Sequence, residues 1–438
     1  MNHPPSLDRR TLLLAAGAGL AGLALPRRAT RLAFGEPGAR RPTVVVVFLR
    51  GGADALNVIV PYGDARYYDI RPTISIAPED DADGIGVVRI DKTFGFPPAL
   101  LPLKPAFDAG RVAGIVCTGS PHPTRSHFDA QDFMEYAAPG VRTIRDGWLN
   151  RFLAATRAAV TSETEVFRAL AMQGLLPRAL RGAFPAVAVP DRGLLDDEAI
   201  LDVFEDVYGA TGRGAPRPAA PAAPAMGGDA MPARPDDDAV LATGKATIET
   251  LRRLRRILAG RRTDEPYQYP ATAFGTQMQA ISRLVRAEVG LEVACVDVPG
   301  FDHHANEGGR EGALANLLRD VAGTTALFLE ELGGRTDDVL VVTMSEFGRT
   351  CRENGTAGTD HGHGGFMLLA GGKVKGGRLY GDFDGLADEK LWEGRDLPVT
   401  TDFRDVLAEI LRGHLRFDPP AGFFPGWKPA RVKGLFGG

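Results

Sequence analysis

Eight histidines occur in the 438 residues, and six of them fall in three short segments: His122 and His127, His303 and His304, His361 and His363. Each segment also carries carboxylates. Imidazole and carboxylate together suit Zn²⁺, Mn²⁺ or iron, and Mg²⁺ or Ca²⁺ less readily. In Gly300-Phe301-Asp302-His303-His304, Asp302 and His304 alternate on an extended backbone, so both can reach one ion. Met344-Ser345-Glu346 ends an apolar run on an acid, and Asp360-His361 returns from a glycine-rich excursion. Arg50-Gly51-Gly52-Ala53-Asp54 adds an aspartate behind a tight Gly-Gly turn. These acids and imidazoles exceed the needs of one ion and could supply two, about 3.5–4 Å apart. A plainer reading makes Asp54 and Glu346 helix caps.

A nucleophile has a place beside them. Ser126 stands where a helix should begin, flanked by Arg125 and His127. A hydroxyl there feels a positive field that favours an alkoxide and an incoming anion. Serine is also a good N-cap, and the two roles are compatible. Arg50, Arg125 and Arg349 come from the same loops and could clamp an anionic ester. Asn57, at the end of the first loop, is a further candidate anion contact.

The elements that must position these residues alternate along the chain. Apolar, β-branched runs at Thr43–Leu49, Val112–Cys117, Ala186–Val189, Leu291–Val298, Val339–Met344 and Phe366–Leu369 read as strands buried on both faces of a parallel sheet. Helical patterns lie between them at Ala99–Ala109, Ser126–Tyr136, Trp148–Ala159, Leu195–Tyr208, Ala271–Val289 and Glu311–Leu332. Strand–helix alternation predicts an α/β layered domain. In an open parallel sheet ligands bind beyond the carboxyl ends of the strands, so four chain-distant loops would meet at one rim. Residues 209–238, largely Ala, Pro, Gly and Asp, cannot bury enough apolar surface to order themselves. They read as an insertion in a single domain spanning 41–438.

Composition narrows the class. A net charge of −4 with both signs mixed gives no electrostatic case for nucleic acid. Three cysteines (Cys117, Cys295 and Cys351) make no disulfide framework. Arg9-Arg10 precede a short apolar stretch, Leu12 to Leu25, too short to span a bilayer, which needs roughly 20 apolar residues. This is the layout of a twin-arginine export signal over residues 1–40. It predicts a periplasmic or otherwise exported protein that meets the export machinery already folded. No later run is long and apolar enough for a membrane span.

Strand-Arg-Gly-Gly-x-Asp, Arg-Ser-His-Phe, Gly-x-Asp-x-His and Ser-Glu-Phe-Gly-Arg with a later Thr-Asp-His-Gly resemble the signatures of domain-of-unknown-function family 1501. The likeness runs from about Thr43 to Leu415. That family in turn resembles a branch of the alkaline phosphatase–sulfatase superfamily. The resemblance implies a three-layer α/β/α sandwich with a mostly parallel sheet, one or two divalent metal ions, and a nucleophile at a helix start. Carried over, Asp54, Asp302, His304, Glu346, Asp360 and His361 would hold metal, and Ser126, with Arg125 and His127, would carry the chemistry. Where the superfamily has Asp-His, this chain has Glu346-Phe347, so one imidazole is missing; His363 or His127 could replace it. Two expectations follow. One is a metal-dependent hydrolase of small or polymeric phosphate or sulfate esters. The other is a non-catalytic envelope protein that uses a degenerate pocket for binding or assembly.

Overall fold

The computed structural model describes residues 40–78, 86–157, 168–184, 186–189, 257–258, 266–430 and 434–437. The twin-arginine segment, the helix expected at Leu195–Tyr208, the insertion at 209–238 and the arginine run Arg252–Arg256 lie outside them. The strands are β1 (Thr43–Leu49), β2 (Val88–Arg89), β3 (Gly95–Phe96), β4 (Val112–Gly119), β5 (Ala169–Ala171), β6 (Val187–Ala188), β7 (Val293–Val298), β8 (Val339–Met344), β9 (Gly365–Gly371), β10 (Arg378–Tyr380) and β11 (Thr401–Asp402). The helices are α1 (Ala55–Val58), α2 (Ala65–Ile70), α3 (Lys104–Asp108), α4 (His127–Glu135), α5 (Trp148–Ala155), α6 (Ala273–Arg286), α7 (Ala313–Leu332) and α8 (Phe403–Glu409).

All seven residues of β1 are buried, because a strand in mid-sheet must satisfy an apolar layer on each side. Val45, Val47 and Leu49 enter one core with Met278, Leu284, Leu318 and Phe328 of α6 and α7. Val44, Val46 and Phe48 enter the other, against Trp148, Phe152, Phe403 and Leu407 of α5 and α8. This two-sided alternation is the three-layer α/β/α sandwich expected from the sequence. The main sheet runs β10-β4-β9-β8-β1-β7-β5-β6, with β11 also on β4. Every pairing in it is parallel except those of β9 with β4 and β8.

That reversal matters for the site. Because β9 runs against its neighbours, the loop before it, not the one after it, reaches the carboxyl ends of β4, β8, β1 and β7. Gly365, its first residue, pairs with Thr118 near the end of β4. Five adjacent strands therefore deliver loops to one rim.

Some elements differ from expectation. The segment read as a helix over Ala99–Ala109 is a 3₁₀ turn over Pro98–Leu103 that becomes α3. Pro102 and Pro105 lack the N–H that a continuous α-helix requires. β5, β10 and β11 carry two or three residues each, too few for a periodic signal. The three cysteines are buried and unpaired. Among the described residues no helix is long and apolar enough to cross a membrane.

Candidate metal centre

Glycine makes the first loop. Gly51 and Gly52 hold φ of +123° and +77°, values that suit residues without a Cβ. A Cβ on Gly51 would lie 2.4 Å from the Asp302 nitrogen, and one on Gly52 would strike the Phe347 ring. The backbone of the loop after β1 thus lies against the backbone of the loop after β7 and the Phe347 ring of the loop after β8.

Arg349 ties them together. Its side chain is fully buried. Nε donates to the Gly52 carbonyl at 2.7 Å, Nη1 to that of Thr359 at 2.9 Å, and Nη2 to those of Gly51 and Phe301 and to Asp302 Oδ1. All three guanidinium nitrogens are engaged, by five acceptors from three loops, so the side chain is used to join the loops.

Around Asp302 stand three imidazoles. His304 Nε2 lies 3.1 Å and His361 Nε2 3.2 Å from Oδ1, and those two nitrogens are 2.9 Å apart. His127 Nε2 faces the other oxygen, Oδ2, at 3.4 Å. His127, Asp302 and His361 each bring one donor atom within 4.8 Å of the other two. The opposite ring nitrogen of each histidine has a fixed acceptor. His127 Nδ1 donates to Glu346 Oε1 at 2.8 Å, His304 Nδ1 to Asp360 Oδ1 at 2.9 Å, and His361 Nδ1 to the Arg125 carbonyl at 2.9 Å. Acceptors on Nδ1 put the proton there, so each Nε2 turns a lone pair inward, the usual orientation of a metal-bound imidazole.

The fit to a cation follows from what these lone pairs lack. His304 and His361 point lone pairs at each other across 2.9 Å, which is repulsive unless something positive lies between. The donor set therefore suits a divalent ion.

Glu346 and Asp360 act behind the imidazoles. Glu346 Oε1 already accepts from the Gly51 nitrogen, His127 and Gln131. Burial pushes its pKa up, but the bonds from His127, Gln131 and Gly51 outweigh this and hold it below the ordinary range. Asp302 is likewise kept ionised, against partial burial, mainly by Arg349. His127 is shifted upward, chiefly by its bond to Glu346. Of the two candidates for the missing imidazole, His127 faces the cluster. His363 is buried against the Trp392 ring, 4.8 Å away. Phe347 packs on both His127 and His361.

Besides Glu346 and Asp360, four further sequence-based assignments need correction. Asp54 does not join the cluster, because Arg71 grips it with Nη1 to Oδ2 at 2.5 Å and Nη2 to Oδ1 at 2.9 Å. Asn57 is no anion contact: it accepts from the Tyr67 hydroxyl and Arg71 and donates to the Ile74 carbonyl. Arg50 turns to the opposite sheet face, bonded to Glu135 at 3.0 Å and Asp297 at 2.9 Å. Arg349 is spent on the frame. Arg125 stays half-exposed but is paired with Glu393 and Asp396. Ser126 is the exposed N-cap of α4, and its hydroxyl makes no capping bond.

Arg71, Gln131, Glu307 and Thr359 gave no signal in sequence. Glu307 is fully buried, accepts from Thr359 Oγ1 at 2.7 Å, and has its pKa raised well above the usual value by burial and by Asp54. A carboxyl raised this way stays neutral in the fold while the unfolded chain ionises near the ordinary pKa. Its stabilising effect is present below that pH and fades as pH rises. Glu307→Gln, which is neutral at every pH, should therefore match the wild type in thermal unfolding below the ordinary glutamate pKa, at about pH 4, and exceed it at about pH 9. A wild-type midpoint at pH 9 equal to or above the variant's would contradict the assignment.

A family profile described as "Protein of unknown function (DUF1501)" matches residues 117–418. The chain belongs to that family. The DUF1501 match takes in Ser126, His127, Asp302, His304, Glu346, Asp360 and His361; β1 and Asp54 precede it. None of the curated proteins compared with this DUF1501 chain matches it. Solved structures similar to it include the C-terminal periplasmic domain of EcEptC from Escherichia coli (TM-score 0.37, 9% identity, covering 93% of this chain and 92% of that one). The PsFucS1 sulfatase from Pseudoalteromonas sp. gives a TM-score of 0.31 at 11% identity, covering 93% and 72%. The phosphonate monoester hydrolase of Agrobacterium radiobacter gives 0.32 at 13%, covering 89% and 78%.

Proposed function

We propose that the protein is an exported, metal-dependent hydrolase of phosphate or sulfate esters. The observation that carries this reading is the ring of three histidines, each anchored through Nδ1 and turned by Nε2 toward Asp302. Ser126 immediately precedes one of them. A divalent ion, when bound, supplies Lewis-acid neutralisation of the ester's oxygens.

The chain's own groups do the rest. Ser126 is uncommitted at the start of a nine-residue helix, where the field lowers the cost of an alkoxide and draws an anionic ester. His127 pairs a free Nε2 with a carboxylate on Nδ1, the arrangement that lets an imidazole take a proton from a nucleophile. In the forward half, Ser126 Oγ bonds to phosphorus or sulfur as the bond to the ester oxygen breaks, and the serine proton passes through His127 to that departing oxygen. In the return half, water replaces the serine oxygen, and Ser126 recovers its proton. Glu346 keeps the imidazole aimed throughout.

The test is hydrolysis of a panel of aryl phosphates, phosphonates and sulfates by the wild type and Ser126→Ala. The variant should lose about 10²-fold or more in kcat, in keeping with removal of a covalent nucleophile. Equal rates for the two would remove Ser126 from the mechanism, and no turnover of any ester by metal-loaded wild type would sink the hydrolase reading. Folded export through the twin-arginine route belongs to the same reading, since Arg9-Arg10 precede a short apolar stretch. Lysines at both positions should leave the chain in the cytoplasmic fraction, and unchanged export would reject that route.

A further inference from the structure

We infer that the site takes one nitrogen-preferring divalent ion, held by Asp302, His304 and His361, and that the guanidinium of Arg71 permanently occupies the place a second ion would need at Asp54. The inference rests on the metal-dependent reading above and adds the number and chemical class of the cation.

The class follows from spacing and donor type. Asp302 Oδ1, His304 Nε2 and His361 Nε2 form a triangle with sides of 2.9, 3.1 and 3.2 Å. Donors on a tetrahedron about an ion 2.0–2.1 Å away lie about 3.3 Å apart. The triangle thus has the dimensions of one face of a small four-coordinate site, with the fourth corner left for a substrate oxygen. Calcium would need six to eight oxygens at about 2.3–2.6 Å, and magnesium an octahedral oxygen shell. Neither requirement is met by two imidazoles and one carboxylate. His127 faces the other oxygen of Asp302 and stays available for proton transfer.

The number follows from Arg71. Its side chain is wholly buried, and each of its five N–H groups has an acceptor: both oxygens of Asp54, Asn57 Oδ1 at 3.0 Å, and the carbonyls of Cys351 at 2.7 Å and Thr350 at 3.1 Å. An arginine held at every donor cannot swing aside to admit an ion, and it takes both oxygens of Asp54, whereas Arg349 reaches only one oxygen of Asp302. Asp54 belongs to a closed ion pair.

The full-length chain, stripped with chelator and titrated with Zn²⁺ and with Co²⁺, should bind one equivalent of either. Bound Co²⁺ should show the intense visible absorption of four-coordinate cobalt. His304→Gln and His361→Gln should each weaken Co²⁺ binding at least tenfold and alter that spectrum, and millimolar Mg²⁺ should not compete. Two equivalents bound to the wild type, no binding, or displacement by Mg²⁺ or Ca²⁺ would each overturn the inference. The wild-type stoichiometry needs no variant to fold. One ion without turnover of any ester defeats the hydrolase reading and leaves this inference standing; two ions with turnover do the reverse.

Discussion

Arg71→Met should cost about 3–5 kcal/mol of folding stability, the range found when one partner of a buried ion pair is removed. The size comes from what remains. Asp54 is 2% exposed and takes both arms of the guanidinium. Burial pushes its carboxyl pKa up, and the charge and hydrogen bonds of Arg71, aided by Glu307 and Arg349, bring it below the ordinary range. Methionine fills part of the space but leaves an unpaired carboxylate, and it also strands the carbonyls of Thr350 and Cys351. Urea unfolding should show the midpoint falling steeply, and Arg71→Met/Asp54→Asn should recover part of the loss, since the amide removes the orphaned charge. A single variant as stable as the wild type would mean that Asp54 finds another partner.

Asp302→Asn should show the contrasting pattern: activity lost, stability kept. Asp302 is the point on which three imidazole nitrogens converge, yet its side chain is 44% exposed. Asparagine keeps the shape and one oxygen able to accept from Arg349, so the loops should stay in place. It removes the negative charge that balances a bound cation. A metal ion contributes several kcal/mol of transition-state stabilisation, and each 1.36 kcal/mol is tenfold in rate. The expected loss is about 10³-fold or more in kcat/KM on any ester the wild type turns over, together with loss of bound metal and a nearly unchanged unfolding midpoint. Full activity in Asp302→Asn would exclude Asp302 as a ligand.

The layered architecture was legible where burial leaves a continuous trace. Thr43–Leu49 and Val339–Met344 are apolar except for one threonine each because both sheet faces are covered, and that signal needs no partner information. Ala169–Ala171 carries no comparable trace, though it lies deep in the sheet beside β7. The direction of β9 is not written in Gly365–Gly371 either: an apolar run looks the same read up or down, and only pairing decides.

For the site, the clustering of histidines with acids singled out loops that meet at one rim, where Asp302, His304, His361 and His127 converge. It could not separate the donors that face the centre from those that stand behind them. Glu346 and Asp360 have the residue types of ligands, but each spends an oxygen on the outer nitrogen of an imidazole and on a neighbouring donor. Arginine in a functional loop suggests an anion clamp, yet Arg50 and Arg349 are used internally. The deciding residues, Arg71 for Asp54 and Glu135 with Asp297 for Arg50, are distant in sequence and share no motif with them.

The guanidinium of Arg349 has a consequence for biogenesis. Its acceptors come from residues 51–52, 301–302 and 359, and its position is reached only after the chain has been synthesised past the last of them. A nascent or truncated polypeptide would hold scattered histidines with no common focus. Cation capture would then report that these distant stretches of the chain have met.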